Sequence, residues 1–325
     1  MKFKNPMCVA VALFVVLASS GISRTVEAQQ IWRATVGGQS QDMGKQAIAF
    51  LPNELWIHAG DSIAWTSGSN DIHTVSFFVA GQKVNPFPVG CPGFSPSGTS
   101  FDGSACVTAP PLVAGQQFTV KFPVVGNFSL ICLVHPHMTG VIHVLAASAT
   151  LPHTQGFYND QAEFQQRSLL ADSDLVKVHN MEDMLPAHVL PRNGVAAGIG
   201  EISSTAGGLQ SLAVVRFLNG TITVHVGDTV EWSVLDPATP HTITFGVEPA
   251  NPGPPVNVTF DADGGGHATL NAPGDTAHSG IIGTVPENQI GVAQSPPSIP
   301  VFRVTFKGPG TYDYKCALHD NLGMV

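Results

Sequence analysis

A fifteen-residue stretch, LPNELWIHAGDSIAW from Leu51 to Trp65, returns without gaps as LNGTITVHVGDTVEW from Leu218 to Trp232, a constant offset of 167. A second stretch, FTVKFPVVGNFSLIC from Phe118 to Cys132, returns as FRVTFKGPGTYDYKC from Phe302 to Cys316 at an offset of 184. The blocks keep their order, with about seventeen extra residues between them in the second copy. Whatever this chain folds into, it builds twice.

The period of the repeated blocks says what is built. Leu55, Ile57 and Ala59 fall on one face of an extended strand, as do Ile222, Val224 and Val226, and Phe118, Val120 and Phe122 are echoed by Phe302, Val304 and Phe306. Each Gly-Asp pair, Gly60-Asp61 and Gly227-Asp228, is a turn that feeds the next strand. Gly 34 and Pro 25 with 11% charged residues describe a turn-rich chain. Together these predict an all-β protein of two β-sandwich domains in tandem. The expected bounds are 29–146 for the first domain and 187–325 for the second. Between them, 147–186 is a connecting segment with one helix over Asp160–Leu170, broken by Asp172-Ser173-Asp174. Val256–Phe260 is an expected additional strand in the second copy.

Lys2 and Lys4, an apolar run from Met7 to Ala18 and small residues around Ala28 have the layout of a cleavable secretory signal over 1–28. The run is shorter than the ~20 residues that cross a bilayer, so no membrane span is expected in the mature chain. The formal net charge of −9 argues against nucleic acid and anionic lipid as partners, and suits a basic protein partner. Export to the periplasm or the extracellular space permits disulfides. Cys8 leaves with the leader and two other cysteines sit in metal-like motifs, so Cys91 and Cys106 are the expected pair, worth roughly 3 kcal/mol for the loop closed.

The chemistry lies where the second block ends. SLICLVHPHMTG places Cys132, His135 and Met138 at three-residue intervals, and CALHDNLGM repeats the set as Cys316, His319 and Met324. Upstream of each stands one histidine, His73 in NDIHTVSFF and His241 in TPHTITF. Two imidazoles and a thiolate in a plane, with a weak axial thioether, suit copper in both oxidation states at one geometry. Zinc is a poorer fit, because structural zinc takes Cys, His and carboxylate but not Met. The remaining histidines carry less. His137 is a loop residue beside Pro136, His58 and His225 are expected to face solvent, and His267 and His278 have no motif around them.

With both sets in view, the chain resembles two type 1 blue-copper cupredoxins in tandem, of the plastocyanin, amicyanin and azurin family. The resemblance implies Greek-key sandwiches and outer-sphere electron transfer, with one copper in the first domain and a second in the other. Two departures stand out. Thr74 and Thr242 occupy the place where many family members carry an Asn that ties the two ligand loops together. The first copy continues past Met138 as TGVIHVLA, whereas the sequence in hand ends at Val325, so the second domain is expected to lack its C-terminal strand, as a truncated copy would.

Two-domain copper oxidases and nitrite reductases share this plan but add histidines for a second, open copper centre. Here Ile131 and Leu133 flank Cys132, Lys315 and Ala317 flank Cys316, and Phe78 stands where a reductase-like His would follow His73. The sequence is therefore read as a non-enzymatic carrier of single electrons serving a redox partner protein. A copper-binding or delivery protein without redox turnover is the alternative, and a relative of the two-domain enzymes the next.

Overall fold

The computed structural model describes residues 1, 29–82, 84, 91, 99–135, 137–178, 190–283 and 300–325. The leader expected over 1–28, save Met1, and residues 179–186 of the connecting segment with 187–189 of the expected second domain lie outside these.

The first half runs β1 (Ile31–Gln39), β2 (Lys45–Leu51), β3 (Glu54–His58), β4 (Ser62–Ser67), β5 (Ser76–Phe77), β6 (Thr99–Ser100), β7 (Val107–Thr108), β8 (Gln117–Lys121), β9 (Gly126–Ile131) and β10 (Thr139–Leu145). These form two sheets, ordered β2-β1-β4-β8-β6 and β3-β10-β9-β5-β7. Between the sheets Trp65, Phe77, Phe101, Phe118 and Phe122 are fully buried, with Trp65 and Phe77 ring centroids 5.8 Å apart. Cys91 and Cys106 are joined in a disulfide.

After α1 (Gln155–Val178), the second half runs β11 (Gly194–Ser204), β12 (Leu209–Leu218), β13 (Thr229–Leu235), β14 (Thr244–Phe245), β15 (Thr259–Phe260), β16 (Gly266–Leu270), β17 (Ala277–His278), β18 (Val301–Phe306) and β19 (Tyr314–Lys315). The tryptophan–phenylalanine contact recurs, Trp232 against Phe245 at 5.5 Å. Among the described residues the molecule is all-β apart from one long helix and a short 3-10 turn at Asp320–Leu322, built as two sandwiches.

The halves share a sheet. β2 pairs antiparallel with β12, so eleven strands run continuously through both sandwiches. In that pairing Gln46 lies opposite Ala213, which stands at the repeat offset of 167, and the bond from Val215 N–H to the Gly44 carbonyl mirrors the Ile48–Ser211 pair. The two copies therefore meet about a local two-fold axis, each presenting the same edge to the other. α1 covers the outer face of this seam, where Leu169 packs with Ala47, Ala49, Leu51, Leu212 and Val214. β2 is buried along nearly its whole length as a result, and its sequence does not alternate.

Three expectations change. α1 is longer than Asp160–Leu170 and passes through Asp172-Ser173-Asp174, because Ser173 turns its hydroxyl back to the Leu170 carbonyl at 2.6 Å and is buried. The strand anticipated over Val256–Phe260 is reduced to the two-residue edge strand β15 and a bridge from Val256 to His278. Residues 221–226, the counterpart of β3, form no strand. In the first sandwich β3 hydrogen-bonds to β10, and among the described residues the second sandwich has nothing in β10's place. What remains is a cleft of about 830 Å³ lined by Ile222, Val224, Trp232, Phe306 and Tyr312.

Tyr158 pins the start of α1 to the first sandwich. Its hydroxyl accepts from the Trp56 amide at 2.8 Å and donates to the Trp56 carbonyl at 3.2 Å, with its ring edge-on to Trp32. Tyr158→Phe is expected to cost about 1 kcal/mol, read as a lower denaturation midpoint with unchanged slope.

Candidate metal centre

The two histidine-cysteine sets converge. In the first sandwich His73, Cys132 and His135 bring one ligand atom each within 4.8 Å of one another, and in the second His241, Cys316 and His319 do the same. All six residues are buried, His73, His135, His241 and Cys316 completely.

The scaffold accounts for the convergence. Cys132 follows β9 and Met138 precedes β10, and the Cys132 amide donates to the Met138 carbonyl at 3.0 Å, closing the loop on itself. The Cys316 amide donates to the Met324 carbonyl at the same 3.0 Å, although this loop is longer and winds through the 3-10 turn. Met138 and Met324 are fully buried within the same core cluster as the cysteines. His73 and His241 precede β5 and β14, the strands paired with β9 and β19, and each is held by an isolated bridge, to Leu112 and to Ile282.

Thr74 and Thr242 take over the tie that the family resemblance puts on Asn. The Thr74 amide points at the Cys132 sulfur at 3.5 Å, and its hydroxyl accepts from the Leu133 amide at 2.7 Å. In the second copy the Thr242 amide lies 3.3 Å from the Cys316 sulfur, and its hydroxyl accepts from the Ala317 amide at 2.7 Å. Thr74→Val keeps the shape but leaves the Leu133 N–H buried without an acceptor. A loss of about 1–3 kcal/mol is expected in the denaturation midpoint, and Thr74→Ser should restore most of it.

The donor set suits a soft, imidazole-loving metal. His73 leaves Nδ1 buried with no partner while its Nε2 meets the Ser69 hydroxyl at 2.9 Å, so Nδ1 is the nitrogen free to bind. Burial opposes a thiolate at Cys132, yet His135 and His73 hold its pKa well below the usual thiol value, and His319 and His241 do the same for Cys316. Burial also opposes charge on His135, but Asp71 and the Cys132 sulfur outweigh it and push the imidazole up to about 10. Asp236 and Cys316 push His241 up to about 9 in the same way. Each sulfur is thus held in the form that binds metal.

Four residues that shape the sites were not singled out in the sequence. Gly37 and Gly198 sit at bulges in β1 and β11 with φ of 68° and 74°, and a Cβ on either would fall 2.2 Å from the Nε2 of His73 or His241. Asp236 stands at the repeat position of Ser69, and its carboxylate lies 3.7 Å from His241 Nε2. Asp71 is 6% exposed, with one carboxylate oxygen 3.0 Å from His135 Nε2 and the other 3.8 Å from His319 Nε2 in the other sandwich. The first contact is an ion pair and not an aligned hydrogen bond.

The other histidines are placed elsewhere. His137 takes a left-handed backbone, φ 63°, in the first loop and is half-buried. His225 faces solvent, but His58 is half-buried with its Nε2 2.8 Å from the Ala149 carbonyl, because the segment after β10 folds back over β3. His267 joins Asp261 and Thr305, and His278 lies between Thr244 and the Pro252 carbonyl.

No protein-family profile and no curated protein matches the chain. Among solved structures, a purple cupredoxin from Nitrosopumilus maritimus is 20% identical with a TM-score of 0.25, covering 35% of this chain and 99% of its own. A Cu(I) form of an amicyanin variant is 18% identical with a TM-score of 0.24, over 35% of this chain and 82% of that one. An amicyanin from Paracoccus versutus is 16% identical with a TM-score of 0.23, over 38% and 86%.

Proposed function

We propose that the protein is an exported copper protein that carries single electrons through two type 1 sites, held by His73, Cys132, His135 and Met138 and by His241, Cys316, His319 and Met324. The observation that carries this is the doubled His-Cys-His convergence, in each case within 4.8 Å and buried. Bound copper would supply one-electron chemistry. The protein holds the ligands on rigid strands and ties the two ligand-bearing loops together through Thr74 and Thr242, so that one geometry serves both oxidation states. Burial of all six residues keeps substrate away from the ligands, which favours electron transfer over catalysis at the metal. The disulfide and the leader-like N-terminus support export, and the negative net charge suits a basic redox partner.

Copper titration of the purified protein tests this. Two equivalents bound, an intense thiolate-to-copper absorbance and a reversible one-electron wave are expected. A colourless protein that releases Cu(I) readily would point to copper delivery instead. Oxygen or nitrite consumption that disappears on removing the Cys132 thiol would make it an enzyme.

A further inference from the structure

The two sites face each other. The local two-fold axis at the β2–β12 seam brings the loop of His135 against the loop of His319, and Asp71 stands between them. In each ring the nitrogen nearer the sulfur is Nδ1, 3.8 Å from Cys132 for His135 and 3.4 Å from Cys316 for His319. Each Nε2 therefore points away from its own site and toward the same carboxylate. The repeat position of Asp71 is Ala238, so a single acidic side chain serves both histidines.

A second contact fixes the geometry. Arg216 on β12 donates to the Leu322 carbonyl in the second ligand loop at 2.8 Å and to the Asp42 carbonyl in the turn between β1 and β2 at 2.7 Å. The second loop is thereby fastened to the first sandwich and not only to its own. His135 is fully buried and the His319 side chain is 4% exposed, so neither ring edge is open for a partner to touch.

We propose that Asp71 joins the two metal sites into one two-centre unit, so that an electron received by either is exchanged with the other through His135, Asp71 and His319. This rests on the copper reading above. The step would balance within the protein: with copper bound, one electron would leave Cu(I) at one site and enter Cu(II) at the other, with no bond broken and the ring protons kept on Nε2. Asp71 is the positioning residue of this route, since one carboxyl group facing both rings, 3.0 Å from His135 Nε2 and 3.8 Å from His319 Nε2, orients both and lies between them.

The test uses the full chain loaded with copper and fully oxidised, given less than one electron per molecule by pulse radiolysis. Exchange between the sites is expected as a phase independent of protein concentration. Asp71→Ala, which opens a gap between the rings, should slow it at least tenfold. Asp71→Asn keeps a two-ended bridge, so it should retain more of the rate while shifting the midpoint potentials of both sites, because the group facing both rings has changed. In the metal-free protein, Asp71→Asn should shift the ring resonances of both His135 and His319 by NMR and leave those of His241 in place. Exchange at the wild-type rate in Asp71→Ala, or a potential and ring resonance that move at one site only, overturns the proposal. Filled sites that show no concentration-independent exchange in the wild type overturn it too. If neither site shows thiolate-to-copper absorbance, the copper reading falls and the proposal falls with it.

Discussion

Cys132→Ser is expected to remove the thiolate-to-copper absorbance of the first site entirely and to reduce bound copper from two equivalents to one. The serine hydroxyl fits the cavity of the thiol and can still accept from the Thr74 amide, which lies 3.5 Å from the sulfur it replaces. What is lost is the soft anionic ligand, since a serine hydroxyl stays neutral and hard near neutral pH. The metal-free variant should therefore melt within a few degrees of the metal-free parent. The rise in melting temperature that copper gives the parent should shrink, because a ligand that binds only the folded state stabilises it in proportion to its affinity. Cys316→Ser should act on the second site in the same way. Full loss of copper from both sites in the Cys132→Ser protein would show that the sites do not fill separately.

The histidines and cysteines that the structure brings together were legible because their chemistry and spacing repeat. Cys132 with His135 and Cys316 with His319 keep the same interval, and the upstream histidines follow each repeated tryptophan at nearly the same distance. The sandwich strands were legible where a strand has one wet face, as in β8, whose burial alternates. Legibility failed for two physical reasons. Alternation records what a segment can pair with and not whether the partner is there, so residues 221–226 read as a strand although nothing among the described residues takes β10's place beside them. β2 hides the opposite error, for its uniform burial comes from α1 on one side and the sandwich on the other.

The residues that surround the ligands were harder to see because they act through distance and not through type. Asp71 is an ordinary aspartate until the seam brings His319 to it, and the seam itself is a pairing between copies that neither copy encodes alone. Asp236 could have been found, since the offset of 167 sets it on Ser69, four residues after the repeated tryptophan in each copy. The second copy thus puts a carboxylate behind His241 where the first puts a hydroxyl behind His73. A carboxylate raises ligand basicity more than a hydroxyl does. On the copper reading, titration of the loaded protein is therefore expected to give two different midpoint potentials, the second site the lower.

Gly37→Ala is expected to weaken copper at the first site by at least about tenfold while sparing the second. Two costs combine at this position. The backbone φ of 68° is left-handed, where an L side chain costs roughly 1–2 kcal/mol. The new methyl would stand 2.2 Å from His73 Nε2 and 2.8 Å from the Ser69 hydroxyl, so the ring must swing out of its bond to Ser69 and carry Nδ1 away from Cys132. Gly198→Ala should mirror this at the second site, where the methyl would stand 2.2 Å from His241 Nε2 at a φ of 74°. Gly60→Ala separates the two costs: its φ is 102°, but the nearest atom, on Gln29, is 3.7 Å away. That variant should lose stability and keep copper at both sites. Competition with a chelator of known affinity measures all three, and a Gly37→Ala protein that holds its first copper as tightly as the parent would show that His73 is not held where the metal binds.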